Sequence, residues 1–272
     1  MFEFLLILGV VFLAFALRTA SQPWLRKIGA LAILAASFMV GYFLSNGRIW
    51  VGALTAIAWF FIPWFEILFR IRKLRLPLDK KIRHKTPPSR ERFPDLPEVT
   101  EEVEEEGFEY IDDAGWEWND TTQFFRLFYH PKSKTEVAVC LSEQGPVAFT
   151  YVSLSSRTRD GRILRTWNYP FSYTMELSPD LKMNRAPAAD SFRDLLTHHT
   201  DFLSEERVSA TELSEENTDE IHDQLQREIE RQINYNLDRG IIALSGEGTF
   251  KYSWRGLFFL WRQFVKDMIK LS

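Results

Sequence analysis

Three apolar stretches occupy the first seventy residues of this chain, and they constrain its fold more than any other feature. They cover residues 2–17, 28–45 and 49–69. A helix that crosses a bilayer needs about 20 predominantly apolar residues, so the first stretch is slightly short and the other two are long enough. The first stretch lacks the basic start and the small-residue cleavage site of a signal peptide. We therefore expect three transmembrane helices within residues 1–70, with a cleaved signal peptide as the alternative for the first.

The charges beside these stretches predict which side of the membrane each one faces. Arg18, Arg26 and Lys27 lie between the first two stretches, whereas Arg48 alone lies between the second and third. Eight basic residues follow the third stretch: Arg70, Arg72, Lys73, Arg75, Lys80, Lys81, Arg83 and Lys85. Basic loops stay on the cytoplasmic side. We therefore expect a multi-pass cell-membrane protein with its N-terminus outside and its C-terminal domain in the cytoplasm.

One acidic residue lies inside the third stretch. Glu66 precedes Arg70 by one helical turn, and opposite charges at this spacing pair on a helix surface. An ionisable residue within a membrane span is also a candidate for function. We expect an ion pair with Arg70, while an assembly of several copies in which Glu66 faces a pore stays an alternative.

A charged segment, residues 71–107, follows the apolar region. Its first part is basic and contains several prolines, whereas residues 93–120 include no Lys or Arg. We expect a linker whose basic half lies against anionic lipids of the inner leaflet, where each Lys or Arg is worth about 1 kcal/mol. The eight basic residues named above are the predicted lipid contacts. We do not expect nucleic-acid binding, because the acidic stretch would repel phosphate.

Residues 108–253 have the pattern of an α+β domain. Strand-like runs cover residues 122–130, 135–141, 147–154 and 162–169, with 171–177 as a further candidate. The short turns between these runs indicate an antiparallel meander. Apolar residues then recur at helical spacing over 188–203 and 214–239, and a final hairpin is expected within 241–253. The predicted domain is therefore an antiparallel sheet with two main helices.

The last segment, residues 254–272, has an aromatic side and a cationic side at helical spacing. Trp254, Phe258 and Trp261 share one side, while Arg255 and Arg262 lie mostly opposite. This pattern is typical of an amphipathic helix that lies in the membrane interface. Packing of its aromatic side on the soluble domain, or on a second copy of the chain, stays an alternative.

The soluble part carries few residues that suggest chemistry. Potential ligands are dense only at His198, His199 and Asp201, and adjacent histidines on a helix cannot form the i, i+4 pair of a zinc site. His222 on the next predicted helix is the remaining candidate partner. We predict no cofactor and no metal site, and His199, Asp201 and His222 are the only catalytic candidates.

The chain has a single cysteine, Cys140, so a disulfide scaffold is excluded. We expect Cys140 to be a small buried apolar side chain.

These observations define a class of protein and leave its molecular activity open. Because no catalytic motif is present, the leading interpretation is a membrane-anchored cytoplasmic module for interaction, sensing or scaffolding. Its partners would be the bilayer, its anionic lipids, a second copy of the chain or another membrane protein. The second interpretation is an enzyme that acts on a lipid or membrane-bound substrate. The third is an accessory subunit of an oligomeric pore or transporter.

Overall fold

The computed structural model describes residues 2–19, 22–145, 147–215, 217–246 and 248–270. The helices are α1 (Phe2–Arg18), α2 (Pro23–Leu44), α3 (Ile49–Ala58), α4 (Pro63–Phe69), α5 (Leu96–Glu105), α6 (Phe192–Glu205), α7 (Ile221–Asp238) and α8 (Trp254–Lys270). The strands are β1 (Leu76–Pro77), β2 (Arg83–His84), β3 (Glu109–Trp118), β4 (Thr121–His130), β5 (Thr135–Gln144), β6 (Val147–Arg157), β7 (Ile163–Trp167), β8 (Leu181–Arg185), β9 (Ile242–Leu244) and β10 (Thr249–Tyr252). The predicted mixture of helices and sheets is confirmed.

The chain forms two compact units. The first contains the residues up to Leu74, the short segment Ser172–Met175 and the residues from Lys251 onward. The second contains Arg75–Phe171 and Glu176–Phe250. Parts of some predicted elements lie outside the described residues: 146 in the turn after β5, 216 in the predicted helix 214–239, 247 in the final hairpin, and 271 and 272 in the terminal helix.

Helices α1, α2 and α3 pack in sequence within the first unit, α1 on α2 and α2 on α3. Glycine allows the close approach of α2 and α3, because a side chain at Gly41 would collide with Thr55. The Thr55 hydroxyl donates a hydrogen bond to the Ser37 carbonyl oxygen on α2 at 2.8 Å. Small residues and interhelical hydrogen bonds are what hold apolar helices together where lipid replaces water.

One helix among the described residues is both long and apolar enough to cross a membrane by itself, over Lys27–Leu44. The segments Ile49–Phe61 and Pro63–Lys73 meet the same criteria only as a pair, and they are bent by 44°. The bend falls at Pro63, which cannot donate a backbone hydrogen bond to the preceding turn. Helix α1 has 17 residues and is too short to be counted as a membrane span by the same criteria. The length and composition of the described helices therefore support one membrane span, or two if the bent pair is counted as one span. They do not support the three spans that the sequence predicts.

Helix α8 packs through aromatic side chains on α4 and on the short turn Trp59–Phe61 before it, partners that the sequence pattern did not indicate. The Trp261 ring stacks on Phe61 at 5.7 Å between centroids, and Trp64 meets Phe258 edge-on at 5.0 Å. The Trp261 indole N–H donates to the Phe60 carbonyl oxygen at 2.8 Å. That carbonyl lies beside the bend at Pro63, where the helical hydrogen-bond pattern is interrupted.

A seven-stranded sheet dominates the second unit, with the strand order β2-β3-β4-β5-β6-β7-β8. Strands β2 to β7 are antiparallel neighbours, as predicted for β3 to β7, but β8 pairs parallel to β7, with Ile163 opposite Leu181. The prediction of a purely antiparallel sheet is therefore wrong at this edge. The predicted strand at 171–177 is instead part of the long connection from β7 to β8. A crossover of about a dozen residues is what a parallel pair requires.

The charged segment predicted as a linker contributes structure to both sheets of the second unit. Strand β1 joins β10 and β9 in a three-stranded sheet, with Leu76 opposite Phe250. Strand β2 covers the outer edge of β3, with Arg83 opposite Gly115. An uncovered edge leaves backbone hydrogen-bonding groups without partners, so the basic segment stabilises the sheet by covering it.

Helices cover both faces of the seven-stranded sheet. On one face, α5 and α6 bury Val103 and Leu195 against Phe128 and Leu154. On the other face, Ile221 of α7 packs with Leu127, Cys140 and their neighbours. The alternating strand residues thus face two separate cores. This three-layer arrangement decides which of the predicted functional residues can meet.

Candidate functional site

His199 of α6 lies in a buried polar network and is 1 % exposed. Its Nε2 is 3.0 Å from the Ser156 hydroxyl, and its Nδ1 is 2.9 Å from the Thr166 hydroxyl. Burial lowers the pKa of His199 to about 4, so the ring is neutral near pH 7. Both ring nitrogens already have partners, and the network fastens α6 to the sheet.

The other two catalytic candidates lie elsewhere. His222 begins α7 on the opposite face of the sheet, where its Nε2 is 3.1 Å from Asp112 Oδ2. Nδ1 of His84 is 2.8 Å from the other oxygen of the same carboxylate. Asp201 is exposed on α6. The structure therefore does not bring His199, Asp201 and His222 together.

Cys140 is buried in the core beneath α7. Burial raises the pKa of its thiol to about 12, so the nucleophilic thiolate is not formed near neutral pH. No group of three or more His, Cys, Asp or Glu side chains in the described ranges is arranged to hold a metal ion. In the first unit, Glu66 pairs with Arg70 at 3.1 Å, as the spacing predicts.

The eight predicted lipid contacts divide between the two units. Arg70, Arg72 and Lys73 follow α4 in the first unit, and the Arg72 guanidinium lies 4.9 Å above the Trp254 ring. Four of the others, all in the second unit, line a single cleft: Lys80, Lys81, Arg83 and Lys85. The sequence associated these four with the membrane surface and did not indicate a cleft.

This cationic cleft has a volume of about 850 Å³ and lies between the basic segment and strands β3, β4 and β5. Because consecutive residues of β3 line it and strand side chains alternate between faces, the cleft extends around the edge of β3 beside the basic segment. Its lining residues are Pro77, Asp79, Lys80, Lys81, Arg83, His84, Lys85, Thr86, Pro87, Pro88, Arg92, Gly115, Trp116, Glu117, Trp118, Thr122, Phe124, Leu141 and Glu143. Five Lys or Arg and three Asp or Glu residues give a formal net charge of +2 with His84 neutral.

Lys80 differs from the other cations of the cleft. Its Nζ lies 4.7 Å above the centre of the Trp116 ring, and Trp116 is itself buried. Burial lowers the pKa of Lys80 to about 8. Among the described residues, no carboxylate lies within ion-pair distance of this ammonium group. The Trp116 face is thus its main electrostatic partner, through a cation–π interaction.

Most of the remaining charges of the cleft are already paired. Lys85 contacts Glu117. Lys81 lies 3.8 Å from Asp79, and Arg92 lies 3.7 Å from Glu143. Arg83 is exposed and, like Lys80, has no ion-pair partner within the described ranges. The cleft therefore presents two uncompensated cations.

On one face of β3 the cleft is lined by two tryptophans. Trp116 and Trp118 are two positions apart on β3, so their side chains share one face of the strand. The Trp118 indole N–H is buried and has no hydrogen-bond partner among the described atoms. Gly115 leaves room for the wall, because a side chain there would collide with the Gln123 carbonyl and the Lys85 side chain. The arrangement can accept an anion that also carries an apolar or ring-shaped part.

No protein-family model, curated protein or solved structure matches this chain.

Proposed function

We propose that the protein is a membrane-anchored interaction or sensing module whose second unit binds an anionic ligand in the cationic cleft. The observation that carries the anchoring is the exposure of large apolar side chains on the N-terminal helices. Phe12, Phe15 and Leu31 are 71 %, 66 % and 64 % exposed. Only 17 % of the residues in Lys27–Leu44 are buried. Soluble proteins rarely expose apolar surface on this scale, and lipid would cover it.

The proposed anchor has three spans, formed by α1, by α2, and by α3 with α4. Arg18 and Lys27 beside the first two spans, and the basic residues after α4, favour a cytoplasmic position for these segments. The turn that contains Arg48 would then face the outside, together with the N-terminus. The second unit would be cytoplasmic, joined to α4 by the basic segment.

The position of the basic segment in the chain supports an anionic ligand at the inner leaflet. Lys80 follows Lys73 by only seven positions, so the covalent tether between the last span and the cleft is short. Basic residues beside a span are attracted to anionic lipid by about 1 kcal/mol each. We propose that Arg70, Arg72 and Lys73 contact the lipid surface and that the cleft receives the ligand. Exposed apolar helix faces also suit contact with a second copy or another membrane protein.

Extraction of membranes from cells that express the full chain tests the anchoring. The protein should stay in the pellet after alkaline carbonate and enter the supernatant only with detergent. A matched variant in which Arg70, Arg72, Lys73 and Arg75 become Gln should also stay in the pellet, because the apolar spans hold it there. Release of the unaltered chain by carbonate would overturn the proposed anchoring.

A further inference from the structure

We propose that Asp112 and two histidines form a proton-dependent clasp that holds the basic segment on the sheet. Asp112 lies on β3, His84 lies on β2 within the basic segment, and His222 lies at the start of α7. The clasp therefore joins three elements of the second unit at one carboxylate. Its consequence for ligand binding rests on the proposed function, whereas the clasp itself rests only on these contacts.

Both oxygens of the Asp112 carboxylate take part in the clasp. Oδ1 lies 2.8 Å from His84 Nδ1 and also accepts the Asp113 backbone N–H at 2.8 Å. Oδ2 lies 3.1 Å from His222 Nε2, which is an ion-pair distance. That nitrogen is buried and has no aligned hydrogen-bond partner among the described atoms. A neutral His222 ring thus gains little from the carboxylate, whereas a protonated ring is attracted to it at short range.

The clasp supplements hydrogen bonds that do not depend on pH. The Lys85 backbone N–H donates to the Asp113 carbonyl oxygen at 3.0 Å. The Ile82 backbone N–H donates to Gln226 Oε1 of α7 at 2.9 Å. Strand β2 has only two residues and lies at the edge of the sheet. Because so few backbone bonds hold it, two side-chain contacts that titrate are a large part of what keeps it in place.

Other charged groups lie on the elements that meet at the clasp. They are Asp79, Lys80, Lys81, Arg83 and Lys85 of the basic segment, Asp113 and Glu117 of β3, Arg126 of β4, and Asp219, Glu220 and Asp223 at the start of α7. Arg126 neutralises Asp113 at 2.8 Å, and Lys85 contacts Glu117. Within the described ranges, no carboxylate other than that of Asp112 lies within ion-pair distance of either imidazole.

The direction of the pH dependence follows from the charges. Histidine ordinarily changes charge between pH 5 and 8, whereas a carboxylate ordinarily stays ionised there. Protonation makes both contacts charge-assisted, and such contacts are roughly twice as strong as neutral ones. As the pH rises, the rings lose these protons, so the segment should separate from β3 and α7 more often. Solvent screens the 68 % exposed His84, so the less exposed His222 contributes more.

The clasp would control the cationic cleft. Lys80, Lys81, Arg83 and Lys85 belong to the basic segment and line the cleft. Separation of the segment from β3 would also take Lys80 away from Trp116, its cation–π partner. The cleft would therefore be assembled more often at mildly acidic pH than at alkaline pH. An anionic ligand would bind in the same order.

Amide hydrogen exchange of the full chain in a neutral detergent tests the clasp. Exchange is measured in place of ligand binding, because Lys80 also loses its proton as the pH rises. Peptides over residues 79–88 report the opening of the segment, after correction for the intrinsic pH dependence of exchange. We expect their protection to fall at least about threefold from pH 6 to 8. Peptides over β5, at the centre of the sheet, should stay protected. Constant protection over residues 79–88 would overturn the proposal.

Matched variants identify the groups that titrate. Asp112→Asn should abolish the pH dependence, whereas Asp120→Asn, at an exposed position on the β3–β4 turn, should retain it. If Asp112→Asn does not fold, His84→Gln combined with His222→Gln makes the same test, with His198→Gln on α6 as its control. Full pH dependence in either clasp variant would overturn the proposal. A working clasp in a chain that carbonate releases would refute the anchoring and leave the clasp intact.

Discussion

At the scale of single residues, burial decides what the few titratable candidates can do. His199 and Cys140 are surrounded by the core, so both stay neutral near pH 7. Lys80 is half-buried beside Trp116 at the wall of a cleft, and its pKa, lowered by burial to about 8, still leaves it mostly charged near pH 7. The first two side chains are therefore structural, and the third is the one whose environment favours binding.

The buried His199 predicts a loss of stability in acid. Its pKa is about 4 in the folded chain and near 6.5 when exposed, so the unfolded chain binds more protons between these values. The free energy of unfolding should therefore fall by roughly 3 kcal/mol as the pH drops from 6.5 to 4. Denaturant titrations of the second unit's transition at pH 7, 5 and 4 would measure this.

His199→Gln should lose much less stability over the same pH range, because it has no group to titrate there. His198→Gln is the matched control, since His198 is exposed on the same helix, and it should behave like the unaltered chain. If the acid dependence of His199→Gln equals that of the unaltered chain, the titration of this residue is not the cause.

The pKa of Lys80, about 8, predicts a pH dependence of ligand binding. As the pH rises from 7 to 9, Lys80 loses its proton in the unliganded protein. The affinity for dioctanoyl phosphatidylglycerol, an anionic lipid whose own charge is constant, should fall through this range, as calorimetry at several pH values would measure. Lys80→Arg should bind with little change over the same range, because arginine stays protonated. A similar decline in that variant would assign the effect to another group.

At the scale of elements, α7 is held to the sheet by a buried charge network. Glu228 of α7 contacts the guanidinium groups of Arg157 and Arg165, and Arg157 also binds Glu136 at 2.9 Å. Burial by itself would raise the pKa of Glu228, but the two arginines outweigh it and hold the pKa below its usual value. The helix is thus fixed by charge as well as by its apolar stripe.

Removal of the Glu228 charge should destabilise the second unit. Glu228→Gln would remove a carboxylate from two guanidinium groups whose side chains are only 11 % and 19 % exposed, and breaking a buried ion pair costs about 3–5 kcal/mol. Asp223→Asn on the same helix is the control, because Asp223 is exposed and the substitution removes the same charge. Denaturant titration at pH 7 should show a large loss for the first and little change for the second. Equal stability of the two variants would mean that the network does not hold α7.

Some elements could be predicted from the sequence, and others could not. Alternation along β5 and the apolar stripe of α7 are local patterns, and both elements form; β5 begins where predicted, whereas α7 begins at Ile221, seven residues after the predicted start, and ends one residue before the predicted end. Strands β1 and β2 have two residues each, too few for any periodicity, and only the neighbouring edge induces them. Strand β8, with the sequence LKMNR, lacks clear alternation, so its parallel pairing was not predictable.

The cleft was not predictable for a related reason. Its key contact joins Lys80 in the basic segment to Trp116 on β3, residues that are distant in the chain and meet only because β2 covers the sheet edge. The sequence indicated the cations and their nearness to the apolar stretches. It could not distinguish the cations that are already paired from those that are not.

At the scale of the whole molecule, the chain passes between its two units several times. The first unit includes the N-terminal helices, the Ser172–Met175 segment and α8. Within it, the Ser172 backbone N–H donates to Asp267 Oδ2 of α8 at 2.7 Å. The second unit is therefore connected to the first at several points along the chain.

Cysteine labelling of the membrane-embedded chain tests the central claim most directly. Cys140 is the only cysteine and is buried, so the unaltered chain provides a low background. Asn46→Cys reports the Arg48 turn, and Lys132→Cys reports the second unit, both at exposed positions. In intact cells, a membrane-impermeant maleimide should label Asn46→Cys and should reach Lys132→Cys only after permeabilisation. Labelling of Lys132→Cys from the outside would contradict the account, because the cationic cleft would then face away from the cytoplasm.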